Sequence, residues 1–527
     1  MTGRRVLRRG LWLAAALCAW LALSGCAHRL PPLPEREPST HLIAGADSAL
    51  ARAYAPPGGD ATLSGVALLR DPTQALASRV LLARTAQRAL DVQVYIWRPD
   101  ASGLLLLHEL RRAAQRGVRV RLLLDDNGSD GMDAWLQAAS TQPGVEVRLF
   151  NPFAQRGFKA LGYLTDFQRL NQRMHNKSFT ADSLATIVGG RNIGDVYYGV
   201  DADLLFADLD LIALGPVARA TAGHFDAFWN SRWAYPLGGL LPPVEATELT
   251  GLARLLDDPG RLPEVARLLA ELQRSPWLGA PLGGDGPLQW APAAVLSDTP
   301  AKLEPVPAGG AATGRMLEPL GRWLSSARRS LDLVSPYFVP GEEGVRHLVE
   351  LARRGVAVRI ITNSLAATDV MAVHAGYARH RRALLAAGIE LHELKPDAVA
   401  QVRLPRLPWN VRLGASSAAS LHGKTFLVDG ERLFVGSFNL DPRSARLNTE
   451  MGLTVDSPVL TRALAEAITR DMTAATWRVS LSREGTLQWL ETRADGTQQV
   501  HEREPGAPLL RRLGARVLSW LPIDGLL

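Results

Sequence analysis

Apolar residues change their spacing several times along the first half of the chain, which outlines a series of helices and strands. Helical spacing over 81–88 and 104–116 alternates with short apolar runs over 90–97 and 118–124. Gly117 stands where the second helical stretch ends, a position that glycine commonly occupies. This order of strand, helix and strand predicts parallel strands in an α/β fold.

The same order of segments occurs again later in the chain. The stretches ALDV, LHEL and RGVRVR, which begin at residues 89, 107 and 116, match SLDL, HLVEL and RGVAVR, which begin at residues 330, 347 and 354. A duplicated α/β unit explains the match. Residues 235–310 separate the copies and are rich in Gly and Pro around a short helical stretch, Pro263 to Leu272, which favours a connector.

The first 25 residues have the pattern of a secretory signal. Arginines at positions 4, 5, 8 and 9 precede an apolar run from Leu11 to Leu23, which is short for a membrane span. The following Ser24-Gly25-Cys26 resembles the end of a bacterial lipobox, so Cys26 is expected to be lipidated. An uncleaved anchor helix is the alternative, and both place the mature chain in the cell envelope, outside the cytoplasm.

The carboxyl-terminal residues differ from the two copies. Asp495-Gly496 predicts a hairpin turn between strands over 487–492 and 498–501. Residues 508–521 mix apolar residues with arginines, as in helices that lie at a membrane surface. A terminal helix packed on its own domain fits this pattern equally well.

These segments predict six regions, which are a signal peptide (1–25), a lipidated cysteine with a Pro-rich spacer (26–45), a first half (46–234), a connector (235–310), a second half (311–478) and a carboxyl-terminal extension (479–527). At 527 residues and 47% hydrophobic composition, the chain can form two cores. Cys18 and Cys26 are the two cysteines, so the mature chain forms no internal disulfide.

The charge of the chain argues against a nucleic-acid partner. The formal charge is +7, and removal of the four signal-peptide arginines leaves +3. An enzyme that binds nucleic acid usually concentrates basic residues on one face. The remaining basic residues suit an anionic lipid surface equally well. We therefore expect a membrane-surface partner and no nucleic acid, and the sequence identifies no accessory protein.

Each copy contains the same constellation of polar residues. His175-x-Lys177-x4-Asp182 is followed by Gly189-Gly190-x-Asn192, and His422-x-Lys424-x4-Asp429 is followed, at identical spacing, by Gly436-Ser437-x-Asn439. Two extended copies at corresponding places in a duplicated fold are very unlikely to arise by accident. The six His, Lys and Asp residues are therefore the candidate catalytic set.

The residue types in this set suit attack on a phosphodiester. On a strand, residues two apart share a face, so each histidine has a lysine beside it. One neutral histidine attacks phosphorus while the other, protonated, donates to the departing alkoxide, and the roles reverse in the second step. Lysines stabilise the negative transition state, so no metal or other cofactor is expected. Asn192, Asn439 and Ser437 are the expected phosphate-binding residues.

The carboxylates are assigned separately. Val428-Asp429-Gly430 is typical of a hairpin turn, and Asp182 lies at the corresponding position, which favours a structural role for both aspartates. Asp203 and Glu450, each eleven residues beyond an asparagine, are better candidates for orienting the histidines. Three neighbours of Asp203 are alternatives, namely Asp201, Asp208 and Asp210.

The paired motifs resemble those of the phospholipase D superfamily. Longer runs are similar to the bacterial cardiolipin synthase C group, and these are LLLDDN from residue 122, NPF from 151, MHNKSFTAD from 174, TNSLAATD from 362 and NLDPRS from 439. The resemblance implies a duplicated α-β-α sandwich with pseudo-twofold symmetry and one shared active site. It also implies a phosphatidyl-histidine intermediate, with His175 as nucleophile and His422 as acid.

The resemblance further implies a substrate class. Members of that group join phosphatidylglycerol to a phosphatidyl group, donated by phosphatidylethanolamine, to make cardiolipin. Three alternatives remain: a hydrolytic phospholipase D that releases phosphatidic acid, a nuclease of the same superfamily, and a non-enzymatic lipid-binding lipoprotein. The best-known bacterial cardiolipin synthases carry transmembrane helices, whereas this chain has a lipobox, so its lipid substrate would be reached from the bilayer surface.

Overall fold

The computed structural model describes residues 30–200, 204–278, 287–305, 313–396, 418–493 and 495–521. The signal peptide and Cys26 lie outside the described residues, as does Asp203. Within the described ranges, no helix combines the length and apolar character needed to cross a bilayer.

Most strands fall into two large sheets. In chain order they are β1 (Ser64–Leu69), β2 (Ala89–Ile96), β3 (Arg119–Gly128), β4 (Val145–Phe150), β5 (Ser178–Ala181), β6 (Ala185–Gly189), β7 (Leu204–Ala207), β8 (Asp210–Leu214), β9 (Ala234–Pro236), β10 (Gln289–Ala291), β11 (Ala293–Ser297), β12 (Ser330–Val334), β13 (Ala357–Asn363), β14 (Glu390–Leu394), β15 (Ala418–Leu421), β16 (Lys424–Val428), β17 (Arg432–Gly436), β18 (Met451–Asp456), β19 (Thr476–Leu481), β20 (Leu487–Thr492) and β21 (Gln498–His501).

Helices pack on these sheets. In chain order they are α1 (Ala49–Ala53), α2 (Pro72–Thr85), α3 (Ala101–Gln115), α4 (Asp133–Ser140), α5 (Gly162–Thr165), α6 (Phe167–Leu170), α7 (Asp195–Tyr198), α8 (Pro216–Trp229), α9 (Ala246–Asp257), α10 (Pro263–Arg274), α11 (Leu317–Ser325), α12 (Gly341–Arg353), α13 (Met371–Ala378), α14 (Arg381–Ala386), α15 (Pro442–Arg446), α16 (Pro458–Ala475) and α17 (Leu509–Leu518).

The predicted repeat is visible in the order of the strands. The first sheet runs β10-β1-β8-β6-β5-β2-β3-β4-β9, and the second runs β11-β18-β17-β16-β12-β13-β14-β19-β20-β21. Each half has three adjacent parallel strands, β2-β3-β4 and β12-β13-β14, and the remaining neighbours in both sheets pair antiparallel. The sheets are therefore mixed, because the motif strands return to the sheet as hairpins. The halves are duplicated α/β units, as predicted.

Helix α2 shows why one boundary was missed. It begins at Pro72, where the Asp71 side chain accepts from the backbone N–H of Gln74, and not near residue 81. Ten of its fourteen residues are buried. A helix that is buried on most sides lacks the one-sided apolar pattern from which helices are recognised.

The connector is folded against both halves. Helices α9 and α10 pack on α3, β10 pairs with β1 in the first sheet, and β11 pairs with β18 in the second. Two further features join the halves. A core cluster combines residues of both sheets, among them Val66, Leu211, Leu433 and Leu453, and β7 of the first half pairs in parallel with β15 of the second.

The carboxyl-terminal extension continues the second sheet. Strands β20 and β21 form the predicted hairpin, and Gly496 adopts φ 81° in its turn. Helix α17 follows, and its Ala515 is buried with Leu365 and Ala507 against Met371. Its side chains Leu509, Leu510, Leu513 and Val517 are exposed to solvent.

Candidate active site

Each motif histidine is held by backbone contacts to the opposite half. The backbone N–H of His175 donates to the carbonyl of Thr449 at 2.9 Å, and that of His422 donates to the carbonyl of Ala207 at 2.8 Å. Glu450 and Asp208 come directly after those two carbonyl residues. The crossing of the two halves therefore brings each histidine next to a carboxylate of the other half.

Both carboxylates bind the imidazoles directly. His175 Nδ1 lies 2.8 Å from Glu450 Oε2, and His422 Nδ1 lies 2.5 Å from Asp208 Oδ2. A carboxylate accepts, so Nδ1 carries the proton and Nε2 is left for chemistry. Glu450 thus has the orienting position that the sequence indicated. In the first half that position belongs to Asp208, which was only one of the alternatives to Asp203.

The misassignment in the first half has a simple cause. The carboxylate follows Asn439 by eleven residues but Asn192 by sixteen, because the first half has a longer segment between them. The assumption that both carboxylates follow their asparagines at the same distance was therefore wrong. The better signal is the backbone pairing directly before each carboxylate, since β7 pairs with β15 before Asp208 and Thr449 bridges to Met174 before Glu450.

The residues after Gly189 and Gly436 adapt each half to its carboxylate. Ser437 donates its hydroxyl to Glu450 Oε2 at 2.5 Å. At the matching Gly190, a Cβ atom would lie 2.1 Å from Asp208 Oδ1, so only glycine leaves room for this carboxylate. We expected Ser437 to bind phosphate, and its contacts show it bound instead to a carboxylate of the His–carboxylate pairs. Gly190 serves the other pair.

Two tyrosines that sequence reasoning missed pack on the histidines. The rings of Tyr95 and His175 meet edge to face with centroids 5.0 Å apart, and those of Tyr197 and His422 do so at 5.4 Å. Asn192 donates from Nδ2 to the Tyr197 hydroxyl at 3.0 Å. The amide predicted to bind phosphate is thus engaged in holding a ring against His422.

Asn439 differs from its counterpart. It is 5% exposed, and its Oδ1 is buried with no hydrogen-bond partner among the described residues. A buried amide oxygen without a partner is costly unless a ligand or water supplies a donor. Asn439 remains a predicted ligand-binding residue.

The motif lysines are buried beside the histidines. Lys177 Nζ donates to the carbonyl of His175 at 2.6 Å, and Lys424 Nζ donates to the carbonyl of His422. Burial, only partly opposed by Glu450, lowers the pKa of Lys177 to about 7. Burial also lowers the pKa of Lys424. Both ammonium groups are therefore poorly solvated and favour an anionic guest.

The charges also reach across the halves. Burial, then the charges of Lys177, Lys424 and His422, hold the pKa of His175 well below 6.5. Burial and Lys424 lower the pKa of His422, while Asp208 opposes them. Second-half charges act on His175, which agrees with the crossed contacts by which each half holds the other's histidine. His175 is the more strongly held in its neutral form.

The titration of Lys177 predicts how anion binding depends on pH. The protein's affinity for sulfate, a tetrahedral dianion of constant charge, should fall as pH rises from about 6 to 8, because the lysine loses its proton in that range. Calorimetric titration at several pH values measures this. The Lys177→Met variant should bind more weakly and lose most of the dependence. A wild-type affinity that stays constant over the range would contradict the assignment.

The two motif aspartates lie at the far end of the motif strands. Asp182 accepts from the backbone N–H groups of Gln87, Arg88 and Ala89 at 2.7 to 3.2 Å. Asp429 accepts in the same way from residues 328–330. Both occupy hairpin turns at positive φ, 55° and 58°. They tie each hairpin to the strand beside it, which agrees with the structural role that the turn pattern favoured and removes both aspartates from the candidate catalytic set.

Removal of Asp182 should therefore lower stability without changing the chemistry. Asp182→Ala leaves three backbone donors unpaired in a buried turn, which should cost about 1.5–3 kcal/mol of unfolding free energy. Denaturant unfolding and kcat below the transition measure the two effects. Asp429→Ala, at a more exposed turn, should cost less. A large fall in kcat of the folded Asp182→Ala protein would contradict the structural role.

The site as a whole is a buried, cationic, two-histidine centre. It brings together two imidazoles, each held at Nδ1 by Glu450 or Asp208, and the two motif lysines. In the described part of the chain, no group of three His, Cys, Asp or Glu side chains is arranged as a metal site. The arrangement suits transfer of an anionic phosphoryl group through a histidine.

Comparisons with known proteins agree with this geometry. A family model described as "Cardiolipin synthase, PLD-like domain" matches residues 81–229 and 320–472. Cardiolipin synthase C of Escherichia coli K12 is 43% identical over 468 residues, which cover 88% of this chain and 96% of the relative. An uncharacterized protein of Helicobacter pylori J99 is 30% identical over 85% of this chain and 87% of its own length.

A solved structure shares the fold. The crystal structure of phosphatidylserine synthase from Haemophilus influenzae Rd KW20 matches with a TM-score of 0.54 at 14% identity, covering 91% of this chain and all of that one. At this identity the likeness concerns the fold alone. It extends over both halves.

Proposed function

Because the chain belongs to the cardiolipin synthase family with phospholipase D-like domains, we propose that it is a phosphatidyltransferase that makes cardiolipin from phosphatidylglycerol and a second phospholipid. The observation that carries the proposal is the pair of histidines, each oriented by a carboxylate of the opposite half, at one buried site. Phosphatidylethanolamine is the proposed donor of the phosphatidyl group.

In the first step His175 is the nucleophile. Its low pKa keeps the imidazole neutral, and Glu450 holds Nδ1 so that the Nε2 lone pair faces phosphorus. The P–N bond forms as the P–O bond to the head group breaks. His422 gives its proton to the departing alkoxide, since the negative phosphodiester favours the imidazolium. Glu450 stabilises the positive charge that His175 acquires.

In the second step the roles of the two rings reverse. His422, now neutral, takes the proton from a glycerol hydroxyl of phosphatidylglycerol, whose oxygen attacks phosphorus. The P–N bond breaks and releases His175. Lys177 and Lys424 supply positive charge to the non-bridging oxygens, whose negative charge grows in both transition states.

The choice of acceptor decides between synthesis and hydrolysis. His175 is only 7% exposed, and tyrosine rings cover both imidazoles. A site of this kind limits the entry of water and favours an alcohol that arrives with a lipid. This supports the synthase over the hydrolytic phospholipase D.

The test uses phosphatidylethanolamine and phosphatidylglycerol that carry different labels. Purified protein should release ethanolamine and place the phosphatidyl label of the donor in cardiolipin. Labelled phosphatidic acid as the main product would favour the hydrolase. Metal-independent cleavage of plasmid DNA, absent in His175→Ala, would favour the nuclease, and no reaction of any kind would favour a binding protein.

We also propose that the chain acts at an envelope membrane to which Cys26 anchors it. Two groups of exposed apolar side chains support contact with a bilayer, one between β4 and the first motif and one on α17. They are Phe158, Leu161, Leu164 and Phe167 in the first group, and Leu509, Leu510, Leu513, Val517, Trp520 and Leu521 in the second. Exposed apolar clusters of this kind commonly bind membranes.

Residues beside both groups lead to the active site. Tyr163, beside the first group, donates to Asn127 at 2.9 Å, and Asn127 donates to the Tyr95 hydroxyl at 3.0 Å. Arg511, beside the second group, donates to the carbonyl of Thr368. The residue after Thr368, Asp369, carries a charge that opposes the lowering of the Lys424 pKa by burial. The two groups thus lie near the catalytic centre from opposite halves.

Charged side chains introduced into these two groups should lower activity on lipid in bilayers and leave activity on monomeric lipid unchanged. Leu510→Glu combined with Leu164→Glu should lower the rate on vesicles about tenfold or more, since charged side chains oppose insertion. The rate on a monomeric short-chain lipid should be unchanged. Val459→Glu is the control, because Val459 is also exposed, at 60%, but lies on α16 outside both groups. Equal losses on both substrates would contradict the docking role.

A further inference from the structure

A cavity of about 290 Å³ lies between the two halves, beside the segment that joins β15 to β16 and carries His422. One wall is formed by the ends of β12, β13 and β14 through Val334, Ile361 and Leu394. The opposite wall is one face of α16, with Ala467, Ile468 and Ala475. These side chains are aliphatic. The interior can therefore make van der Waals contacts with an apolar ligand but gives water no hydrogen-bond partners.

The corresponding space in the first half is filled. Helices α8 and α16 both begin with Pro-Val after equivalent strands, so their positions can be matched from the proline. Counted in this way, Phe225 and Trp229 correspond to Ala467 and Asp471. Trp233 and Ala475 correspond by strand register, because each directly precedes the strand partner of Phe150 or Leu394. By strand register and motif position, Phe150 and Met174 correspond to Leu394 and Leu421.

The first-half residues form a closed core. Phe150, Met174, Phe225 and Trp229 are all 0% exposed and pack in one cluster, with Trp233 against it. The second half keeps the same backbone frame but carries smaller side chains at these positions, and the space is left open. Protein interiors rarely leave a void of this size, and an apolar cavity stays dry and takes an apolar guest.

The polar groups around the cavity are already engaged by the protein. Arg191 donates to the carbonyls of Leu69, Arg70 and Asp208. Thr476 donates to the carbonyl of Met472 at 2.8 Å. Met472, Ile468 and Asp471 are half-buried, and Arg70 is exposed at the rim. The cavity therefore has an apolar interior, and the charges of Asp471 and Arg70 lie where it opens to solvent.

The cavity borders the short segment between β15 and β16 that carries His422. Leu421 and Gly423, on either side of His422, line it. His422 itself does not line the cavity, and its ring binds Asp208. A guest in the cavity therefore contacts both neighbours of the catalytic imidazole.

We infer that this cavity binds a fatty acyl chain of a phospholipid. The inference rests on the proposed function for its occupant, since an enzyme that transfers phosphatidyl groups must hold lipid tails close to its histidines. The tail comes either from a reacting lipid or from a lipid bound for structural support.

The test fills the cavity with the side chains that the first half carries. Full-length wild type should bind cis-parinaric acid, a fluorescent fatty acid, saturably with about one equivalent per chain. Ala467→Phe with Ala475→Trp should weaken this binding at least tenfold without lowering the unfolding temperature. The matched control, Ala463→Phe with Ala474→Trp, adds the same volume at exposed positions of α16 and should bind as wild type does.

The outcomes separate this inference from the proposed function. Absence of saturable binding to wild type, or undiminished binding to the filled variant, would overturn it, whether or not the protein makes cardiolipin. Binding that is lost in the filled variant supports it even if no transferase activity is found. If the filled double variant is unstable, Ala467→Phe alone and mass spectrometry of lipid retained by wild type give the same decision.

A kinetic comparison then identifies the source of the tail. If the tail belongs to a reacting lipid, the filled variant should lose activity on dioleoyl substrates but keep it on dihexanoyl ones. If the tail belongs to a structural lipid, both activities should change in parallel. Either result is compatible with an acyl-chain site, and the binding assay remains the deciding measurement.

Discussion

His422→Ala should leave the protein able to form the covalent intermediate only when the leaving group needs no proton. With phosphatidylethanolamine the rate should fall about 10²–10⁴-fold, the usual contribution of a general acid. With a phosphatidyl ester of p-nitrophenol, whose phenolate departs unprotonated, the first step should remain fast. Because His422 is also the base of the second step, the intermediate should then accumulate on His175.

The companion variant should behave differently. His175→Ala removes the nucleophile, so it should lose both reactions by about 10⁶-fold and accumulate no adduct. Rapid quench of labelled lipid, followed by mass spectrometry of the peptide around residue 175, detects the intermediate. An adduct on His422 in the His175→Ala protein, with the release of p-nitrophenol retained, would show that the roles are reversed.

Loss of either orienting carboxylate should have the second-largest effect. Asp208→Asn and Glu450→Gln keep the shape of the side chain but remove the charge that fixes the tautomer and stabilises the imidazolium. A change of this kind at a histidine–carboxylate pair costs about 10⁴-fold in kcat in the serine protease triad, and we expect losses of about 10²–10⁴-fold here. The unfolding transition should stay within a few degrees of wild type.

The crossed geometry makes this prediction specific. Asp208→Asn should lower kcat no further when His422→Ala is already present, because Asp208 acts through that ring. For the same reason Glu450→Gln should lower kcat no further in the His175→Ala protein. Asp210→Asn is the matched control, since Asp210 is a buried carboxylate two residues away that pairs with Arg79 and not with a histidine. It should lower stability and spare kcat.

Sequence reasoning was most successful where the repeat itself carried the information. Two extended motifs at identical spacing indicated a duplicated fold, and the mixed sheets with their matching strand order confirm it. Helix α2 was misplaced because burial on most of its surface removes the amphipathic pattern. Local periodicity reports one-sided burial, so an element enclosed by others is the least visible to it.

The site was harder to predict because its contacts cross between the halves. Asp208 follows its asparagine at a different distance from that of Glu450, and only the pairing of β7 with β15 shows which carboxylate reaches His422. Tyr95 and Tyr197 lie outside the motifs and meet the imidazoles only in three dimensions. Ser437 was assigned to phosphate because its partner, Glu450, is thirteen residues away.

The most direct test of the account is the structure of the protein with bound orthovanadate, which adopts the five-coordinate geometry of phosphoryl transfer. The account predicts one vanadium centre per chain, bonded to His175 Nε2, with His422 Nε2 within hydrogen-bond distance of the opposite apical oxygen and both lysines beside the equatorial ones. Vanadate bound to one histidine while the other faces a separate cavity would contradict a shared phosphorus.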